Sequence, residues 1–161
     1  MKIQIAIYDT HEKAINAIKL LANNNFPMSH VSLLGKAEVK DENIHIQTVE
    51  PIKNAPVLMG VGAGAIVGLL SGIGVFAIPG FGFLYGAGAL VGAIGGFDVG
   101  LITGGIGILL SAIGIDKDNT VKYHEHLNEG KFLVLVNGPL EEIEKAKNIL
   151  QADGTHLELG N

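Results

Sequence analysis

The chain has 161 residues, enough for one compact domain with a sizeable core or for a smaller domain carrying an insertion. Its net charge of -5 at pH 7 comes without a basic stripe and excludes a nucleic-acid face, and the absence of cysteine excludes disulfides, thiolate metal sites and cysteine nucleophiles. Charged residues are only 17% of the chain and the deficit is local: between Ala55 and Ile115 the one formal charge is Asp98, and 18 of the 23 glycines lie there, so this stretch is read apart from its flanks.

The opening "MKIQIAIYDT" lacks the continuous apolar core and cleavage site of a signal peptide, and the flanks are expected in the cytoplasm. Ile3, Ile5 and Ile7 alternate with Lys2, Gln4 and Ala6, the period of a half-buried strand. Asp9 and Glu12 have capping-box spacing, and Ala14, Ile15, Ile18, Leu21 and Ala22 recur at helical intervals until "NNNFP". "HVSLLG" at 30–35 predicts a second strand and "NIHIQTV" at 43–49 a short additional one, before Pro51 and Pro56 bracket the way into the glycine-rich region.

That region contains "GVGAGA" at 60–65, which fits a dinucleotide-binding loop, but no strand leads into it and no acid follows at the ribose-binding offset. The same form recurs at 72–77, so composition explains it better. "IPGFGF" at 78–83 reads as a turn between two arms. Gly60, Gly64, Gly68 and Gly72 form a ladder at intervals of four in the first, and Gly88, Gly92, Gly96, Gly100 and Gly104 form a longer one in the second. A helix interior bears glycine at a cost of about 1 kcal/mol each, so the expectation is a glycine-zipper helical hairpin in which bare backbones pack closely enough to offset it. The first arm, Pro56 to Phe76, would be about 31 Å long as a helix, close to the hydrocarbon thickness of a bilayer, and a hairpin buried in a soluble oligomer is the alternative. Val61, Leu69, Ile73, Leu90, Val91, Leu101, Ile108 and Leu109 would then need lipid or other hairpins.

Beyond it, "DNTVKYHEHLNEG" predicts a short helix stopped by Gly130, "KFLVLV" a strand apolar on both faces, "PLEEIEKAKNIL" a helix with proline and acids at its start, and "THLEL" a last strand. The fold class expected is α+β: a ferredoxin-like βαββαβ head, residues 1–54 and 116–161, with the hairpin of residues 55–115 inserted between its second and third strands. With helices on one face of the sheet, Leu133 and Leu135 would lie on an open apolar face suited to a partner subunit.

Few residues suggest chemistry. Asp98 in "GGFDVG" is either the cap of a second half-helix starting near Val99 or a polar site handling protons or ions; the cap is preferred. His124 and His126 are weak metal candidates, because residues two apart on a helix point about 200° from each other. Ser29 and Ser32 have no nucleophile-elbow context, so no catalytic residue is expected and no cofactor is implied.

"IAIYDTHEKAINAIKLL…HVSLLG", "AIPGFGFLYGAGALVGAIGG" and "YHEHLNEGKFLVLV", in that order, resemble the bacterial glycine-zipper general stress proteins of the heat-induced, YflT-like type. The chain departs from that pattern at His124 and His126 and in the length of "AEVKDENIHIQTVEPIK". The resemblance implies a stress-linked, non-enzymatic protein that self-assembles or associates with membrane. The expected partners are therefore copies of itself and membrane lipid, with the head on the cytoplasmic side. The alternative is a soluble cytoplasmic assembly, a sensor or carrier that binds a metal or small ligand through the head histidines.

Overall fold

Alternating and continuous apolar strands on both sides of the glycine-rich region meet in one antiparallel sheet. The computed structural model describes residues 2–40, 43–46, 73–78, 81–88 and 106–160. Within them the chain runs β1 (Lys2–Tyr8), α1 (His11–Asn23), a 3-10 turn (Met28–His30), β2 (Val31–Lys40), β3 (Asn43–Ile46), β4 (Ile73–Ile78) and β5 (Gly82–Gly88). It continues with α2 (Ile106–Ala112), α3 (Lys117–Asn128), β6 (Phe132–Gly138), α4 (Leu140–Asp153) and β7 (Glu158–Gly160). The strands stand in the order β4-β5-β2-β6-β1-β7, every neighbouring pair antiparallel. Ala37 of β2 pairs with Phe83 on one side and Ile46 on the other, so β3 lies along the edge of β2 that β6 occupies further back.

The element ends follow local chemistry. Thr10 caps α1, its hydroxyl oxygen accepting from the Lys13 N–H at 3.3 Å. Asp9, expected as the cap, instead holds the Lys13 ammonium at 2.8 Å. Asp116 caps α3 by accepting from the Asn119 N–H at 3.0 Å, and Gly130, with a φ of 82°, turns the chain out of that helix where expected.

Two apolar layers enclose the sheet. On one face α1 and α4 bury Ala6, Tyr8, Leu33, Phe132, Val134 and Val136 against Ile18, Leu21, Ile143 and Leu150. On the other, Ile5, Ile7, Leu34, Leu133 and Leu135 pack with Leu110 of α2, Ile115, and Tyr123 and Leu127 of α3. The expected assignment of Leu133 and Leu135 to the face away from α1 and α4 holds, but that face is not open. The chain itself covers it, with a helix drawn from the apolar region that composition assigned wholly to the hairpin. Because both faces are buried, β1 is not half exposed: Gln4 is 1% exposed and its Nε2 donates to the Gly160 carbonyl at 2.7 Å, across to the edge strand.

The hairpin turn falls at 78–83 as expected, yet its arms there are strands rather than helices. Ile73, Val75, Phe76, Ile78, Phe83 and Tyr85 give this stretch the β-branched and aromatic content of a sheet, which outweighs the four-residue glycine interval. Gly88, read as the start of the second helical ladder, ends β5 with a φ of 98°. A Cβ there would stand 2.3 Å from the Val31 carbonyl oxygen, so glycine at this position lets β5 close onto β2. Gly60, Gly64, Gly68, Gly72, Gly92, Gly96, Gly100, Gly104 and Asp98 lie outside the described residues. No helix among the described residues is long and apolar enough to cross a membrane, and α2 has seven residues.

Candidate functional site

The β4–β5 hairpin carries both glycine-rich stretches and joins the rest of the sheet through β2, so the groups that seat it form the candidate site. On the α3 face the seat is built around Phe81, the turn residue just before β5. A phenylalanine in an exposed turn would be an anomaly, and this one is buried, 5% exposed. Lys36 of β2 holds its ammonium 5.2 Å from the Phe81 ring centroid and donates to the Asn128 side-chain oxygen at 3.1 Å. Asn128 lies one helical turn from His124 and meets its Nε2 at 3.0 Å, and the His124 ring returns to Phe81 with centroids 5.7 Å apart. Four side chains from three elements thus close a ring around the hairpin's tip.

On the α1 face the seat is aromatic. Gly35 of β2 lies between Phe132 of β6 and Tyr85 of β5, and a Cβ on it would come within 2.6 Å of the Phe132 ring. The space left by that missing side chain brings Phe132 over β2. His11, the first residue of α1, points its ring edgewise at both aromatics, 5.3 Å from Phe132 and 6.2 Å from Tyr85. Burial pushes the His11 imidazole below its ordinary pKa and the Tyr85 phenol above its own, so both are held neutral at pH 7. The buried Nε2 of His11 has no hydrogen-bond partner among the described residues.

The two histidines singled out from the sequence are separated by the helix that carries them. His124 faces the hairpin tip. His126 turns to the other side of α3, where its Nδ1 meets the Lys131 ammonium at 3.1 Å and the Glu129 carboxylate at 3.6 Å. Its Nε2 lies 3.9 Å from Glu158 of β7, a carboxylate that also pairs with Lys122. This network ties α3 to the last strand, and no three metal-ligating side chains gather among the described residues. A further contact joins His30 to Glu142, Nδ1 to Oε2 at 2.5 Å, and fastens the 3-10 turn to the first turn of α4.

Sequence patterning missed His11, Lys36, Phe81, Tyr85 and Asn128 as one site. Lys36 and Asn128 are 92 positions apart and meet only through the sheet register. The one available signal was Phe81 itself, an aromatic residue set between two glycines in a turn. No protein family, curated protein or solved structure matches the chain.

Proposed function

We propose that the chain is a non-enzymatic, stress-linked structural protein that assembles with copies of itself on the cytoplasmic face of a membrane through its glycine-rich stretches. Its head, in this proposal, is a ferredoxin-like unit of β1, α1, β2, β6, α4 and β7 interrupted after its second strand. The spatial order β2-β6-β1-β7, with α1 and α4 sharing one face, supports that assignment.

One observation carries the role of the glycines. Ile73 pairs with Ala87, Gly74 with Gly86 and Ile78 with Gly82, so the β4–β5 hairpin is centred on position 80. The glycine ladders are centred on the same position in the sequence: Gly72 and Gly88, Gly68 and Gly92, Gly64 and Gly96, and Gly60 and Gly100 are each equidistant from it. The two stretches start side by side at the open end of the hairpin. Running antiparallel from there as far as Gly64 and Gly96, before the second stretch turns back at Asp98, they would meet glycine against glycine, the arrangement that allows the closest backbone approach.

The ends of the stretches limit how they can meet lipid. Residues 47–72 run from β3 to β4, and both strands belong to the sheet that contains β2. Residues 89–105 run from β5 to α2, which packs on that sheet. A stretch that crossed a bilayer once would put its ends on opposite sides, so each stretch leaves the head and returns on the same side. In this proposal Asp98 caps the returning limb of the second stretch, the shorter of the two.

The chain has no cysteine, so engineered pairs give a clean test. Under mild oxidation the double variant Gly68→Cys with Gly92→Cys is expected to form an intramolecular disulfide, and Gly68→Cys with Gly96→Cys is not. A four-residue offset adds about 6 Å along a helix and more along a strand, beyond the reach of a disulfide. Equal bridging by both pairs, or none by either, removes the zipper from the proposal.

A further inference from the structure

We infer that His11 is a proton-sensitive latch: neutral, it holds the arm-bearing β4–β5 hairpin against the head, and protonated, it releases it. Its significance for assembly rests on the function proposed above, but the latch itself stands on the geometry of the α1 face.

His11 is the group of the helix layer placed edgewise against both a head strand and the hairpin, through Phe132 and Tyr85. Among the described residues, the groups around it carry no charge that could receive an imidazolium. β5 contributes the Tyr85 phenol, which burial keeps protonated, β6 contributes the Phe132 ring, and β2 contributes Gly35. Lys36 is turned to the opposite face, where it covers Phe81. From the chain around His11 itself, the Asp9 carboxylate is held by Lys13 and Glu12 is exposed.

A neutral imidazole can leave Nε2 as a bare lone pair, the less costly atom to bury without a partner. The imidazolium must donate from both nitrogens, and the buried Nε2 has no acceptor among the described residues. The position adds a second penalty, because a cation in the first turn of α1 opposes the positive end of the helix dipole. Protonation is relieved only if the ring reaches water, which parts it from Tyr85 and Phe132. Lys36, held by the Asn128 side-chain oxygen, covers Phe81 at the tip of the hairpin on the other face, so release begins at the end of β5 nearest the glycine-rich stretches.

The sign follows from linkage. The folded state holds the His11 pKa below the free-imidazole value of about 6.5, so the unfolded or released state binds the proton first as pH falls. The contact is at full strength above that value and weakens below it.

Two measurements test this on the full chain. In an NMR titration the His11 ring resonances are expected to change below the free-imidazole value. Hydrogen exchange, corrected for its intrinsic pH dependence, is expected to show protection of the β4–β5 amides falling at least about tenfold from pH 7.5 to 5, with β1–β6 amides less affected. In His11→Phe, which keeps an aromatic ring in the seat, that fall should disappear. A His11 resonance that titrates at or above the free-imidazole value overturns the latch, as does equal loss of protection in parent and variant. Should the variant fail to fold, the titration of the parent decides alone. The cysteine-bridge experiment at pH 7.5 is independent: bridging without a pH response removes the latch and leaves the zipper, and the converse removes the zipper alone.

Discussion

Tyr8 is fully buried and its hydroxyl has no hydrogen-bond partner among the described residues, the reverse of the usual bargain by which a buried polar group is satisfied. Burial, with the Asp153 carboxylate nearby, pushes its phenol well above the ordinary tyrosine pKa. Tyr8→Phe keeps the ring and discards an unpaired group, so the variant should be as stable as the parent at pH 7, or more stable by up to about 1 kcal/mol in urea unfolding. The same substitution should blunt alkaline unfolding. A raised folded-state pKa leaves stability intact below about pH 10 and removes it as pH rises further, because the unfolded chain loses the proton more readily. A Tyr8→Phe variant more than about 1 kcal/mol less stable would mean that the hydroxyl has a partner after all, and one as alkali-sensitive as the parent would mean that this phenol does not govern the alkaline loss.

At the level of elements, two glycines fix how β5 and β6 meet β2, and their substitutions should differ in kind. Gly35→Ala brings a methyl against the Phe132 ring at 2.6 Å, and a ring can tilt, so a loss of about 1–3 kcal/mol is expected. Gly88→Ala meets the Val31 carbonyl oxygen at 2.3 Å and forces a side chain onto a φ of 98°. Backbone cannot yield as a ring does, so this variant should detach β5. Hydrogen exchange should show β4–β5 amides losing protection while β1–β6 amides keep theirs, and equal loss in both would show that the hairpin is not a separable unit. Much at this scale is legible in the sequence: the Ile3-Ile5-Ile7 alternation, the apolar run at 132–136 and the Gly130 stop each correspond to an observed element. The glycine-rich region is less legible because a four-residue interval fits a helical ladder and also one face of a strand. There the β-branched and aromatic residues decide, and Gly88 turns out to serve strand contact. The seat around Phe81 has no local signature, since its members meet only after β2 and α3 are brought together.

The whole molecule couples a head closed on both faces to two nearly uncharged stretches that leave it at one hairpin. Cover for Leu133 and Leu135 comes from α2 and α3, so that face of the sheet does not ask for a partner subunit, and the self-assembly proposed above rests on the glycine-rich stretches alone. Topology gives the sharpest check at this scale. Ser29 precedes both stretches, Gly82 lies between them and Gln151 follows them, and all three are exposed. Single cysteines at these positions can be probed with a membrane-impermeant thiol reagent in sealed vesicles of each orientation. If each stretch crossed the bilayer, Gly82→Cys would label from the side opposite the other two. Pairing of β5 with β2 over Ser32 to Ala37 requires the hairpin to stay with the head, so all three should label from the same side, and carbonate washing should leave the protein on the membrane. Although Gly82 has a φ of 104°, no atom of the described residues lies within 4 Å of a Cβ placed there, so the reporter adds local strain without a clash among them. Opposite-side labelling of Gly82→Cys would break the β2–β5 pairing and with it the seat around Phe81. Complete release by carbonate would leave the sheet and the zipper within each chain intact and remove only the membrane from the proposal.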